Sequence, residues 1–251
     1  MNTIQSELES AVLSPGYFYI LEKPSLISRA IKKIFEIYCK ILFKIYCPLK
    51  VKGKENIPGS SFIFCSNHNS HMDSGVLMVS SGIPFKNFAM MAAKDYFFDN
   101  EKRKYYLNLL MNLIPVDRDA DRKSMIEYLV ACREFTRDGK HNIIIYPEGT
   151  RSLTGKIQAF KKGPAMVSTE LGLPIVPAYI EGTRQAWPKG KIFMKPKKIS
   201  IRIGKAIHPE DFRCKEGSNE DTNFVLYKKI TEELERSVNQ LMKADEIEKH
   251  S

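Results

Sequence analysis

The chain is short of several things, and each shortage narrows what it can be. Nowhere in its 251 residues does an apolar run reach the roughly 18 residues of a membrane-crossing helix. The cysteines Cys39, Cys47, Cys65, Cys132 and Cys214 are odd in number, scattered and without a C-x-x-C pair. That argues against a disulfide framework or a zinc ribbon and suits a reducing compartment. There is no G-x-x-x-x-G-K-[ST] loop and no G-x-S-x-G elbow, so neither Walker-type phosphate binding nor a serine-elbow hydrolase is read. The opening MNTIQSELES has no basic stretch followed by an apolar one, and no signal peptide is expected. Acidic residues are the scarcer charge, 29 against 39 basic, for a net +10. A basic surface suits nucleic acid, an anionic membrane or an anionic substrate. With the basic residues spread out and no recognition motif, nucleic acid is not expected.

Two kinds of pattern are present. The first is LISRAIKKIFEIYCKILFKIYC, Leu26 to Cys47, in which Arg29, Lys32, Lys33, Glu36, Lys40 and Lys44 recur at helical spacing. The result is a broad apolar surface with a narrow basic stripe. Such a helix lies in a membrane interface more naturally than it crosses one. A helix docked on the protein's own core, or a two-helix hairpin between Pro24 and Pro48, also fits the pattern.

The second is an alternation of short apolar runs with amphipathic stretches. LKVKGKENIP reads as a short strand then a turn, FKNFAMMAAK as a strand running into a turn, and LIPVDRD as a short strand leading into a charged turn. SFIFCSN, Asn142 to Tyr146, LPIVPAYIEG and ISIRIGKAI also read as strands. The stretches HMDSGVLMVSSG, KRKYYLNLLMNL, RKSMIEYLVACREFTRDG, KGPAMVSTELG and Asp221 to Met242 read as helices. Strands apolar across their full width argue for an α/β fold with a mostly parallel central sheet flanked by helices, preceded by the amphipathic element.

In such sheets, polar residues directly after buried strands are the natural place for a site. Three such junctions stand out: NHNSHMD after IFC, DRD after LIPV, and PEGTRS after IIIY. His68, His71 and Asp73 have the donor types of a zinc or iron site, although no further ligand is evident. Alternatively His68 acts as a general base whose other nitrogen is held by Asp73, with Asn69 or Ser70 capping the next helix and His71 facing solvent or packed on a helix. Arg118 and Arg151 offer planar forks for phosphate, and Gly149 and Thr150 offer backbone N–H groups. Glu148 is read as an orienting partner for an arginine or a substrate hydroxyl. Unaided, these features describe an α/β enzyme that either acylates a hydroxyl of a phosphorylated amphiphile or hydrolyses a phosphorylated compound.

The same junctions resemble those of the glycerolipid acyltransferases typified by 1-acyl-glycerol-3-phosphate acyltransferase. The signatures stand as Asn67-His68-Asn69-Ser70-His71-Met72-Asp73, Leu113-Ile114-Pro115-Val116-Asp117-Arg118, Tyr146-Pro147-Glu148-Gly149-Thr150-Arg151-Ser152 and Leu173-Pro174-Ile175-Val176-Pro177. Phe160-Lys161-Lys162-Gly163 also matches. The resemblance covers about residues 50 to 205. It implies that His68, held by Asp73, deprotonates the acceptor hydroxyl, which attacks the thioester of acyl-CoA or acyl carrier protein with no acyl-enzyme. It further implies that Arg118 holds the acceptor phosphate with Arg151 as helper, that Glu148 and Gly149 shape the acceptor site, and that Val176 and Pro177 line or support an acyl channel. Asn67, Lys94 and Lys161 are expected as supporting residues, and no cofactor or metal is expected. The acceptor it implies is 1-acyl-glycerol-3-phosphate, giving phosphatidic acid. Glycerol-3-phosphate or another lysophospholipid is the alternative, and a metal-dependent hydrolase using His68, His71 and Asp73 stands further off.

Residues 1–50 are then expected as a membrane-contact element and 51–251 as the acyltransferase domain, peripheral or monotopic on the cytoplasmic face of a membrane, with the lipid surface, a lysophospholipid acceptor and, where it is the donor, acyl carrier protein as partners. Two positions depart from the family pattern. Asn112 stands where glycine is usual and is expected to tolerate a left-handed turn. Tyr146 stands for phenylalanine, adding a hydroxyl that needs a partner.

Overall fold

The computed structural model describes residues 3–22, 25–97, 108–117, 121–188, 190–213 and 222–250. Its seven strands are β1 (Leu49–Lys52), β2 (Ile63–Ser66), β3 (Phe88–Ala93), β4 (Asn112–Val116), β5 (Asn142–Ile145), β6 (Ile175–Glu181) and β7 (Ile199–Ile203), in the order β1-β7-β6-β2-β5-β3-β4. From β6 to β4 every pairing is parallel. β7 pairs antiparallel with β6 and parallel with β1, so the sheet is mixed at one end.

The strands read as apolar runs because both faces are covered. Ile63 and Cys65 of β2, with Ile143 and Ile145 of β5, pack beneath helices α4 (Arg122–Thr136), α5 (Gly163–Leu171) and α6 (Thr222–His250). Phe62, Phe64, Ile144 and Tyr146 enter the opposite core, under α2 (Leu26–Ile41) and α3 (Met72–Ser81). Gly75 lets α2 approach closely: a Cβ there would lie 3.2 Å from the Phe43 ring. Half of the expected helix over Lys102–Leu113 falls outside the described residues; of the rest, 108–110 are helical and Asn112 and Leu113 instead begin β4.

The N-terminal residues contribute more than the sequence pattern suggested. A short α1 (Thr3–Ser10) packs on the α4 side of the sheet. After a 3-10 turn at Pro15–Ile20, the hydroxyls of Tyr17 and Tyr19 donate to Pro115 O (3.1 Å) and Leu113 O (2.8 Å) on edge strand β4. These bonds occupy carbonyls that an edge strand otherwise leaves open.

The amphipathic helix is present as α2, capped by the Ser25 side chain and extended by a π-turn at Leu42–Tyr46. Its orientation is the reverse of a helix docked by its greasy side. Lys32, Glu36, Cys39 and Phe43 are buried, whereas Leu26, Ile34 and Ile45 are 79%, 66% and 73% exposed. The buried polar groups are matched. Glu36 accepts from Lys33 (3.0 Å), Lys40 (2.6 Å) and the Phe85 N–H (3.3 Å). Lys32 donates to Asn112 Oδ1 (2.5 Å), and Asn112 Nδ2 donates to Lys86 O and Phe88 O. Asn112 therefore does not serve a left-handed turn, since no described non-glycine residue has positive φ. Its amide ties α2 to the start of β4. No described helix is long and apolar enough to cross a membrane.

Candidate active site

Parallel strands end at one edge, and there the polar junctions meet. β2 delivers Asn67 to Asp73, β3 delivers Lys94, β4 leads to Asp117, and β5 leads to Tyr146 to Ser152. Arg118 lies outside the described residues.

The turn after β2 is held from several sides. Asn67 is 1% exposed; its side chain donates to Ile180 O and accepts from Ile180 N, both at 2.8 Å. It thus adds a side-chain rung to the β2–β6 ladder where the main chain turns away. Helix α3 begins at Met72, after His71, and His71 makes no capping bond. Ser70, one residue earlier, makes the capping-type bond the sequence leads one to expect: its Oγ accepts from Met72 N at 3.3 Å. The main work falls to Asp73 in the first helical turn. Its Oδ2 accepts from Asn69 N (2.7 Å), Ser70 N (2.8 Å) and His68 Nδ1 (2.9 Å). A fully buried carboxylate accepting two N–H groups accepts the ring N–H as well. That tautomer leaves His68 Nε2 as the proton acceptor, and Nε2 bonds to nothing among the described residues. The His68 side chain is 18% exposed, enough for a substrate to reach it.

Tyr146 lies flat against His68, with ring centroids 3.7 Å apart and planes 9° apart. Its hydroxyl pairs with Ser74 Oγ at 2.7 Å, which supplies the partner the added hydroxyl requires. Burial, reinforced by the Asp73 charge, holds this phenol well above its ordinary range, so it stays neutral and packs the base in place.

Glu148 braces the same histidine from the other side. Its Oε1 accepts from His68 N (2.7 Å) and its Oε2 from Gln158 N (3.0 Å). Ser152 N donates to His68 O at 2.8 Å. Burial raises the Glu148 carboxyl above its usual value, and the two N–H groups only partly oppose this. The sequence suggested that Glu148 would orient an arginine or a substrate hydroxyl. In the structure both of its oxygens bind backbone and join the turns after β2 and β5. Gly149 has φ 71°, and a Cβ there would stand 3.1 Å from Lys161, so glycine serves both the turn and the passage of that lysine.

Around this centre, Thr150 and Lys161 are exposed, Arg151 is half-buried, and Lys94 is exposed at the end of β3. Val176 and Pro177 are buried in β6, in register with Phe64 and Cys65. The metal alternative needs His71 beside His68 and Asp73. The His71 ring instead lies 5.9 Å from that of Trp187, and no metal-holding group of three or more His, Cys, Asp or Glu occurs among the described residues. Cys65 and Cys132 are buried, and burial pushes their thiols far up, which leaves no activated thiolate there. Sequence reasoning missed the Tyr146 stack, its Ser74 anchor and the bond from Ser70 Oγ to Trp187 O (2.8 Å). All three cross between distant segments, and no local pattern encodes them.

The arrangement is a buried acid, an imidazole with one nitrogen held and the other available, and a rigid collar. Comparisons with known proteins point the same way. The family model described as Acyltransferase matches residues 48–181. The chloroplastic 1-acyl-sn-glycerol-3-phosphate acyltransferase LPAT1 of Arabidopsis thaliana is 29% identical over 188 residues, covering 73% of this chain and 51% of that protein. The 1-acyl-sn-glycerol-3-phosphate acyltransferase of Limnanthes douglasii is 30% identical over 165 residues, covering 66% and 56%. The chain thus spans about half the length of these relatives. The crystal structure of the 1-acyl-sn-glycerophosphate acyltransferase PlsC from Thermotoga maritima superposes with a TM-score of 0.58 at 28% identity, covering 90% of this chain and 86% of that one. With the family model matched over more than half its length, the chain belongs to the acyltransferase family.

Proposed function

We propose that this protein transfers a fatty acyl chain from acyl-CoA or acyl carrier protein to the free hydroxyl of 1-acyl-glycerol-3-phosphate, giving phosphatidic acid. The observation that carries the reading is the His68 Nδ1–Asp73 Oδ2 bond of 2.9 Å, which leaves Nε2 available on a braced, partly exposed ring. In this mechanism Nε2 removes the acceptor hydroxyl proton as the oxygen attacks the thioester carbonyl. Collapse of the tetrahedral adduct breaks the C–S bond, and the proton on His68 passes to the departing thiolate. Arg118 and Arg151 hold the acceptor phosphate, and the N–H groups around Gly149 and Thr150 lie at the same edge. The acceptor assignment follows the names of the relatives; glycerol-3-phosphate or another lysophospholipid is the alternative.

The exposed apolar side of α2 supports contact with one leaflet on the cytoplasmic face, where thioester donors are found. Its isoleucines would enter the headgroup boundary while Lys32 ties it to Asn112 of β4 and Glu36 to the Phe85 N–H. Supplying purified protein with a radiolabelled acyl thioester and a panel of lysophosphatidic acid, glycerol-3-phosphate and other lysophospholipids tests the assignment. Phosphatidic acid as the main product is expected. No acyl transfer to any member of the panel would sink it.

A further inference from the structure

A surface feature that the chemistry does not use lies beside the site. After the short helix Thr183–Ala186, the chain loops out before returning as β7, and at the tip Ile192 and Phe193 are each 83% exposed. Lys191, Lys195, Lys197 and Lys198 flank them, all exposed, and none pairs with a carboxylate among the described residues. From Gly182 to Pro209 the sequence contains no acidic residue.

The loop is fastened so that its tip stands out. The Trp187 indole donates to Lys191 O and Lys195 N donates to Ala186 O, both at 2.7 Å. The Tyr46 hydroxyl, at the end of the π-turn after α2, donates to Met194 O at 3.0 Å. The loop therefore continues the exposed row of Ile41, Ile45 and Tyr46. On its other side, Trp187 O accepts from Ser70 Oγ in the turn that bears His68.

We propose that the Ile192–Phe193 loop is a second membrane-docking element. Its two apolar side chains enter the acyl region, and its lysines sit among anionic headgroups. An apolar tip ringed by unpaired cations fits a lipid surface, whereas a soluble acidic protein would match only the lysines. Together with α2, the loop gives the protein two separated points of contact, which fix how the His68 turn faces the lipid. The proposal rests on the reading of α2 only for the continuity of the surface. Each lysine near an anionic bilayer adds roughly fivefold to partitioning, and burial of the two side chains adds more.

Trp187 is the single tryptophan of the chain and reports on the loop without any substitution. The full chain would be titrated with phosphatidylcholine vesicles, with and without phosphatidylglycerol, and with brominated acyl chains. Expected are a blue shift and bromine quenching of Trp187, strongest on anionic vesicles. The Ile192→Ser/Phe193→Ser variant should lose the quenching and partition at least tenfold less, with thermal unfolding unchanged. Lys191→Gln/Lys195→Gln/Lys197→Gln should weaken binding to anionic vesicles alone. Wild-type emission that ignores vesicles, or that responds only to acidic acyl carrier protein, overturns the proposal. So does a double variant that binds and is quenched like the wild type. Ile34→Ser/Ile41→Ser in α2 separates the two readings. Loss of binding there with a silent loop variant removes the loop and keeps α2, and the reverse pattern keeps the loop and removes α2.

Discussion

Helices α2 and α3 lie against the same face of the sheet, and each buries a carboxylate, yet the two carboxylates do different things. Asp73 of α3 is 0% exposed and Glu36 of α2 is 4% exposed. Glu36 spends itself on Lys33, Lys40 and the Phe85 N–H, none of which belongs to the His68 turn. Asp73 spends itself on two backbone N–H groups and on an imidazole whose other nitrogen is available. The helices differ in the same way in what they hide. α3 buries nearly all of its residues, whereas α2 buries its polar anchors and turns its isoleucines outward. A buried acid therefore does not mark a site by itself; what matters is whether one of its partners can still react.

Breaking the reactive acid should have the largest effect. His68→Ala and Asp73→Asn should each lower kcat by about 10²–10⁴-fold, with far-UV circular dichroism unchanged. Full turnover by either variant would falsify the base assignment. Next comes the brace. Glu148→Gln sets an NH₂ group against a backbone N–H, and should cost about 1–3 kcal/mol of stability together with a drop in kcat, read by denaturant unfolding and thioester consumption.

The structural acid should affect stability more than turnover. Burial alone would raise the Glu36 carboxyl, but hydrogen bonds from Lys40, Lys33 and the Phe85 N–H bring it below its ordinary value. Its stabilisation is therefore present above the unfolded carboxylate pKa of about 4.3 and is lost as pH falls through the lower folded value. Glu36→Gln should melt earlier than wild type at neutral pH, with the gap closing in acid. A gap that holds across the acid range would count against the ion-pair account. Smaller still is Tyr146→Phe, which keeps the stack on His68 and removes one bond from Ser74 Oγ, which still meets Met90 Sδ at 3.2 Å. It should cost about 0.5–1.5 kcal/mol and leave kcat close to wild type. Ile34→Ser, on the outward face of α2, should change stability by no more than about 0.5 kcal/mol while weakening vesicle binding.

Much of this was legible in the residues. Apolar runs such as NIII and IFCS announce buried strands, and polar residues directly behind them mark the edge where a site forms. The spacing of His68 and Asp73 allows the two side chains to meet if the chain turns back after Asn69-Ser70, and the structure has that turn. Two alternatives were harder to read. ISIRI alternates in burial, as an antiparallel strand near a sheet end does, yet nothing local says which neighbour it joins. The direction of α2 was ambiguous because periodicity locates two faces without naming the inner one. Lys32 and Glu36 go inward because Asn112 and the Phe85 N–H wait for them there, and both come from distant segments. The Tyr146–His68 stack was hidden for the same reason, since it depends on β2 and β5 lying side by side.

Asp73 Oδ2 has a consequence for the cost of each turnover. Three N–H groups already converge on that oxygen before any substrate arrives. If a proton reaches Nε2 and the ring becomes cationic, the charge that answers it is the Asp73 carboxylate, which the Asn69 and Ser70 N–H groups already hold in place. In water, solvent would have to reorient at that moment; here the reorientation was completed when the chain folded. On the proposed mechanism the rate advantage of this histidine is thus drawn from the stability of the fold, and variants that loosen the turn after β2 should slow acyl transfer even with every reacting atom intact.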